Sequence, residues 1–361
     1  MSEFVYLVLE NGRSFRGLPF GAKKDGVVGE VVFTTGMTGY LETLSDPGYH
    51  GQIVVQAFPL VGNYGAIRAD FESDSLHPGG YVVRECCDEP SNFRSEGTLG
   101  DLLAKHGIPG IRGVDTRALI LTIREAGVMN GIITDDPSSV DFESLRSGTM
   151  ENPVAFVSPR QVETRAPSRP EKFRVALWDF GAKESIVRRL LSRGCTVFRV
   201  PHDARAEEIA ALEPDGIVLS NGPGDPAENA GTIEDLRRLM ARNIPTCGIC
   251  LGHQILALAA GCRTAKLKYG HRGANQPVRD TKTGFLTITT QNHGYTVLPE
   301  SVPQGRATVR YVNANDGTCE GLDYVDFPAF GVQFHPESAV GPQGTVFLFE
   351  RFMRMMSEGG R

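Results

Sequence analysis

The sequence predicts an α/β protein in two parts: a carboxyl-terminal domain built on a doubly wound parallel sheet, preceded by a mixed, β-rich amino-terminal domain. Three observations lead there. The chain has 361 residues, and at roughly 150 residues per domain that length suits two or three cores. A polar stretch at 158–172, SPRQVETRAPSRPEK, carries three prolines and no apolar period, which is a linker by composition. Beyond it, near-continuous apolar runs alternate with amphipathic segments of ten to fifteen residues, the pattern of a parallel sheet covered on both faces. The expected division is 1–157, a linker over 158–172, and 173–361.

In chain order, VYLVLENG (5–12), GEVVFTTG (29–36) and QIVVQAFP (52–59) read as short strands broken by glycine and proline, with helical segments near 98–106 and 115–126. That half has the larger strand share. After the linker come the strand FRVALWDF (173–180), the helix KESIVRRLLSRG (183–194), the strand CTVFRVP (195–201) and the helix ARAEEIAALEP (204–214). The alternation continues through DGIVLSN (215–221), TIEDLRRLMARN (232–243), IPTCGI (244–249) and LGHQILALAAG (251–261). There is no internal repeat and no low-complexity segment.

Composition excludes several classes of function. Apolar residues make up 40%, charged residues 22%, and the net charge is −6 without a block of like charges, so neither nucleic acid nor an anionic membrane is indicated as a partner. The start, MSEFVYLVLENGRSF, lacks the basic, unbroken apolar pattern of a signal peptide, and no run of about 18 apolar residues occurs. A cytoplasmic protein is expected. Seven cysteines (86, 87, 195, 247, 250, 262, 319) are an odd number thinly spread, unlike a disulfide framework. Cys247 and Cys250 form a CxxC, but no second CxxC or HxxxH accompanies it, so no metal is expected. A thioredoxin-like pair would also put its first cysteine at the helix start.

Gly248-Ile249-Cys250-Leu251-Gly252 lies where a strand passes into a helix, the cysteine counterpart of the Gly-x-Ser-x-Gly nucleophile elbow. Small neighbours let strand and helix approach closely, and the helix dipole favours thiolate at its amino end. Taken alone, the motif equally suits a buried structural thiol. A catalytic thiol needs an imidazole held by a third group. FGVQFHPE (330–337) offers His335 and Glu337 with Pro336 between them, on the same side if the strand end is extended. A lone histidine is more often structural, and His253 and His293 compete for the role; His293 is read in a loop, QNHGYTV. The loop Asn221-Gly222-Pro223-Gly224-Asp225-Pro226 leaves the same sheet edge, as a plain turn or as a cradle of backbone N–H groups for an oxyanion.

In that order, a GPG loop, a GxCxG and an HPE resemble the class I, triad-type glutamine amidotransferases. The match narrows in the first domain. Residues 29–65, GEVVFTTGMTGYLETLSDPGYHGQIVVQAFPLVGNYG, and 113–134, GVDTRALILTIREAGVMNGIIT, resemble the amino-terminal domain of the small, glutaminase subunits of carbamoyl phosphate synthetases. YGHRGANQPV and TTQNHGYTV resemble the same family, so the likeness covers essentially the whole chain. It implies that Cys250 attacks the side-chain amide of glutamine, that His335 relays protons and that Glu337 orients His335. A γ-glutamyl thioester would form and be hydrolysed, with the backbone N–H groups of Leu251 and Gly224 holding the oxyanion. By the same carry-over Gly222, Gly224, Leu251, Gln254, Asn292, Gly294 and Tyr295 line the glutamine site.

The resemblance further implies that ammonia passes through a tunnel to a separate large subunit that makes carbamoyl phosphate from bicarbonate and two ATP, for arginine and pyrimidine biosynthesis. No GxxxxGK[ST] occurs in this chain, so no cofactor is expected in it, and ATP and Mg²⁺ belong to the large subunit. A heterodimer able to assemble further is expected, with this chain as a separate subunit. The sequence departs from the family's usual residues at His50, at Glu184 and Ser185, and at Tyr295. Cys247 is expected to be a strand residue able to form a disulfide with Cys250 under oxidation. Two alternatives stand beside this reading: an amidotransferase feeding a different synthase, and a non-catalytic regulatory homologue.

Overall fold

A computed structural model describes residues 4–148, 150–338 and 344–359. The chain falls into two compact units, Met1–Glu151 and Asn152–Arg361.

In the first unit the strands are β1 (Val5–Leu9), β2 (Ser14–Gly21), β3 (Val27–Thr34), β4 (Ile53–Gln56), β5 (Leu60–Val61), β6 (Gly80–Val82), β7 (Glu85–Cys86), β8 (Pro109–Arg112) and β9 (Met129–Thr134). Helices α1 (Tyr40–Ser45), α2 (Leu99–Lys105), α3 (Thr116–Ala126) and α4 (Phe142–Ser147) intervene. Among the described residues, seven strands close a barrel in the order β1-β2-β8-β6-β4-β3-β9, and β5 pairs with β7. The helices expected near 98–106 and 115–126 are α2 and α3. Their starts are set by side-chain caps, with Thr98 accepting from the Asp101 N–H and Asp115 from the Ala118 N–H, which satisfies donors that the first helical turn leaves free. Val32, Val54, Tyr81, Leu41 and Leu103 pack into one core on the side where the helices lie.

The second unit begins with α5 (Val154–Val157), whose Val154 belongs to this unit's core. The stretch 158–172, expected as a linker, contains a strand, β10 (Glu163–Arg165). It pairs antiparallel with β12 (Cys195–Val200), which in turn runs beside β11 (Phe173–Trp178). An edge strand needs only backbone partners, so its polar side chains show no apolar period. The remaining elements are α6 (Glu184–Leu191), α7 (Ala206–Ala211), β13 (Gly216–Leu219), α8 (Ala230–Met240), β14 (Thr246–Ile249), α9 (Leu251–Ala259), β15 (Thr264–Asp280), β16 (Leu286–Val297), β17 (Ala307–Asn313), β18 (Cys319–Tyr324), β19 (Ala329–Val332) and α10 (Phe347–Gly359).

The sheet order is β10-β12-β11-β13-β14-β19-β18-β17-β15-β16. From β12 to β19 the strands are parallel, and the far side is an antiparallel extension. The expected doubly wound sheet is therefore present, with a layer of core on each face. Its central strands are buried on both faces, which is why they read as unbroken apolar runs. From β11 the chain turns first to β12 on one side and then to β13 on the other, so the carboxyl ends around β11, β13 and β14 form the crevice where such sheets place their sites.

The candidate active site and the family of the chain

Cys250 is the single residue between β14 and α9. Its backbone has φ 53° and ψ −107°, a region that costs a non-glycine residue about 1–3 kcal/mol and persists only where neighbours enforce it. The neighbours are visible. The Cys250 N–H donates to the Val332 carbonyl at 2.8 Å, and the Gly252 N–H to that of Ser220 at 2.9 Å. A Cβ on Gly252 would land on the Leu219 carbonyl, and one on Gly248 would meet the Gly252 carbonyl carbon at 2.8 Å. The two glycines of the elbow are thus demanded by the close approach of β13, β14 and α9.

The thiol is buried, at 3% exposure. Its Sγ lies 3.5 Å from the Asn292 carbonyl and receives a contact at 3.5 Å from the Gln333 side-chain amide. Gln333 also accepts from Gln254 Nε2 at 2.9 Å, and Gln254 donates to the Tyr295 carbonyl at 2.8 Å. Gln254, expected as a glutamine-binding side chain, is therefore buried and committed to holding Gln333 and the strand at Tyr295 in place.

His335 and Glu337 come together, with Nδ1 to Oε1 at 2.7 Å. They do so in a turn beyond β19, not on the extended strand end expected from their spacing. The Ser338 N–H reaches back to the His335 carbonyl, and the His335 N–H donates to that of Thr290. Both side chains are fully buried. Nε2 of His335 makes no hydrogen bond of full geometry among the described residues, yet the Cys250 side chain is near enough to favour its proton. Burial and the Lys183 ammonium push the imidazole toward its neutral form, but the Glu337 charge, the Cys250 side chain and the hydrogen bond to Glu337 outweigh them and lift its pKa to about 9. For Glu337, burial pushes upward and is overcome by His335 and Lys183, so the carboxyl stays ionised. Lys183 Nζ stands 3.7 Å from Glu337 Oε1.

Lys183 and Gln333 were not identified from the sequence. Gln333 lies between Val332 and Phe334 in FGVQFHPE, and a polar residue in an apolar run was the available signal; Lys183, between Ala182 and Glu184, offered no such signal. Of the two competing histidines, His253 is wholly buried on α9, with neither ring nitrogen partnered among the described residues and its pKa pushed down to about 3 by burial. His293 is in strand β16, as are Asn292, Gly294 and Tyr295, so the expected loop is corrected to a strand. β16 is the last strand of the sheet, and a polar edge strand has no apolar alternation to announce it. Cys247 is in β14, and burial pushes its thiol up to about 12.

In the 221–226 loop, Gly222 packs against Phe180 and Leu251, while Gly224, at φ 91°, faces Pro153 and Glu228. Gly294 lies beside Arg272. Elbow, imidazole–carboxylate pair and loop all occupy carboxyl ends of the parallel strands, an arrangement suited to a nucleophilic thiol with a positioned proton carrier.

Two family models match the chain: class-I glutamine amidotransferase over residues 176–355, and the carbamoyl-phosphate synthase small chain CPSase domain over residues 7–133. The carbamoyl phosphate synthase small chain of Bacillus caldolyticus is 47% identical over 352 residues, covering 98% of this chain and 96% of that one. The corresponding small chain of Staphylococcus epidermidis is 46% identical, covering 99% of this chain and 97% of its own length. That of Bacillus anthracis is 48% identical, with 97% and 95% covered. On both halves of its length, the chain belongs to the carbamoyl phosphate synthase small chain family, with a class I glutamine amidotransferase domain as its carboxyl-terminal part.

Proposed function

We propose that this chain hydrolyses glutamine to glutamate and ammonia and delivers the ammonia to a carbamoyl phosphate synthase large subunit. The observation that carries the reading is Cys250 on a strained elbow beside a buried His335–Glu337 pair. A ring whose proton is favoured up to about pH 9 takes the thiol proton. The Cys250 sulfur then attacks the side-chain carbonyl carbon of glutamine, forming a C–S bond and a tetrahedral oxyanion. His335 gives its proton to the nitrogen, the C–N bond breaks and ammonia leaves. A water then loses a proton to the neutral ring and attacks the thioester. The C–S bond breaks, glutamate departs and the thiol regains its proton.

In this reading the N–H groups of Leu251 and Gly224 face the oxyanion. Gly222, Gln254, Asn292, Gly294 and Tyr295 complete the glutamine pocket, Gln254 through its hold on Gln333 and Tyr295. These steps draw on no cofactor in this chain; ATP and Mg²⁺ act on the large subunit, where bicarbonate and ammonia become carbamoyl phosphate for arginine and pyrimidine synthesis. The pairing is a heterodimer. All seven cysteines are free thiols, which suits a reducing cytoplasm, and among the described residues no helix is long and apolar enough to cross a membrane.

The test is glutamate release from glutamine by the wild-type chain and by Cys250→Ser, each with and without the large subunit. Release that rises with the partner and is lost in the variant is expected. Release unaffected by the substitution would assign the nucleophile elsewhere, and none from any wild-type sample would leave a binding role only.

A further inference from the structure

A second constellation lies on the antiparallel extension of the sheet. His271 on β15 and His293 on β16 are directly opposed in the strand register, with their rings edge to face at 5.0 Å. Glu320, wholly buried on β18, presents Oε1 at 3.5 Å from His271 Nδ1 and 4.0 Å from His293 Nε2. The three ligating atoms lie within 4.8 Å of one another.

The outer partners of the two rings fix which nitrogens face inward. His271 Nε2 is 2.8 Å from Asp316 Oδ2, and Thr318 holds that carboxylate through its N–H and hydroxyl. Nε2 therefore carries hydrogen, and Nδ1, which has no hydrogen-bond partner among the described residues, lies 3.5 Å from Glu320 Oε1. His293 Nδ1 is 2.7 Å from the Tyr295 carbonyl, so it also must donate outward. That leaves a lone pair on Nε2, 3.2 Å from Oε1 of Gln291. The orientation of Gln291 is itself determined, because its amide nitrogen donates to Glu320 Oε2 and to Thr289 Oγ1, whose own hydrogen goes to the Gln276 carbonyl. With neither ring doubly protonated, acceptors from His271, His293, Gln291 and Glu320 converge on one buried point, a repulsive arrangement that a bound proton or a metal ion would relieve.

We propose that His271 Nδ1, His293 Nε2 and the Glu320 carboxylate bind a divalent transition-metal ion of the zinc class, with Gln291 Oε1 or a water as fourth ligand. Two imidazoles and a carboxylate are a zinc donor set, whereas magnesium and calcium prefer oxygen alone. Ligands about 2.0–2.2 Å from a tetrahedral ion stand roughly 3.3 Å apart, so side-chain shifts of under about 1 Å close the site. Each imidazole already has the outward hydrogen bond, one to a carboxylate and one to a backbone carbonyl, that orients metal-bound histidines. The ion would tie β15, β16 and β18 together one residue from Asn292, whose carbonyl touches Cys250. This site rests on its own geometry and does not depend on the proposed reaction.

The experiment uses the full chain as Cys250→Ser, so that the reactive thiol cannot supply a ligand, stripped with a chelator and titrated with Co²⁺ and then Zn²⁺. One Co²⁺ per chain is expected, with visible d–d bands, no thiolate charge-transfer band, displacement by Zn²⁺ and a rise in Tm with Zn²⁺. Glu320→Gln and His271→Asn should weaken binding roughly a hundredfold. Asp316→Asn, which leaves the buried ligands in place, should weaken it roughly tenfold. No saturable band, or equal affinity in all three variants, overturns the proposal and leaves a proton shared between His271 and Glu320.

Discussion

Glu337 decides the charge on His335. Burial and Lys183 both oppose the imidazolium, and the carboxylate is the largest influence in its favour. Replacing it with an amide of the same shape removes the charge and leaves the opposing forces. In Glu337→Gln the His335 pKa should fall from about 9 to below the ordinary 6.5, and kcat/KM for glutamine should fall about 10²–10⁴-fold. NMR titration of the ring reads the first and steady-state kinetics the second; an unmoved titration would mean that Glu337 does not control the ring. This pair was legible in the sequence because its partners are two residues apart. Lys183 was not, because its distance to Glu337 is set by folding across more than a hundred residues of chain, and no local pattern encodes such a contact.

Among the elements, the junction of β14 and α9 illustrates what glycine does at each end of a close contact. Gly252→Ala would drive a methyl into the Leu219 carbonyl and Cβ, and overpacking of this kind costs about 1–3 kcal/mol. Gly231, on α8, has open space around a built Cβ and no positive φ. Gly231→Ala should therefore stabilise by about 0.5–1 kcal/mol through helix propensity and a less flexible unfolded chain. Urea midpoints of the two variants should move in opposite directions, and shifts of the same sign would contradict the packing argument. The βα units were readable because each buried strand is a solid apolar run and each covering helix keeps its stripe. The antiparallel extension was not. β15 carries register shifts between Lys266 and His271 and between Gly273 and Gln276, and such bulges interrupt the period of two on which strand recognition depends. The His271–His293–Glu320 cluster depends on that register, so it stayed hidden with it.

For the whole molecule, buried histidines shape the dependence of stability on pH. His77 in the first unit and His253 in the second are held neutral, with pKa values lowered by burial to about 4 and about 3. A group whose pKa is depressed by folding contributes its full stability above its unfolded value near 6.5 and loses it as pH falls toward the folded value. His335, raised to about 9, works in the opposite sense, contributing below 6.5 and losing that contribution as pH climbs through 9. Stability of the second unit should therefore peak near pH 6.5, and His253→Leu should flatten the limb between pH 6.5 and 4. Trp178, the one tryptophan in the sequence, lies in this unit's core and gives the fluorescence readout; an unchanged limb would mean that His253 is not what titrates. The hydrogen bond from the Cys250 N–H to Val332 has a different implication. That amide closes the ladder between two central strands, so it can trade its hydrogen for deuterium only when they separate. The reactive cysteine thus carries its own gauge of the sheet's integrity, a slowly exchanging proton that reports how often the domain opens rather than how fast the chemistry runs.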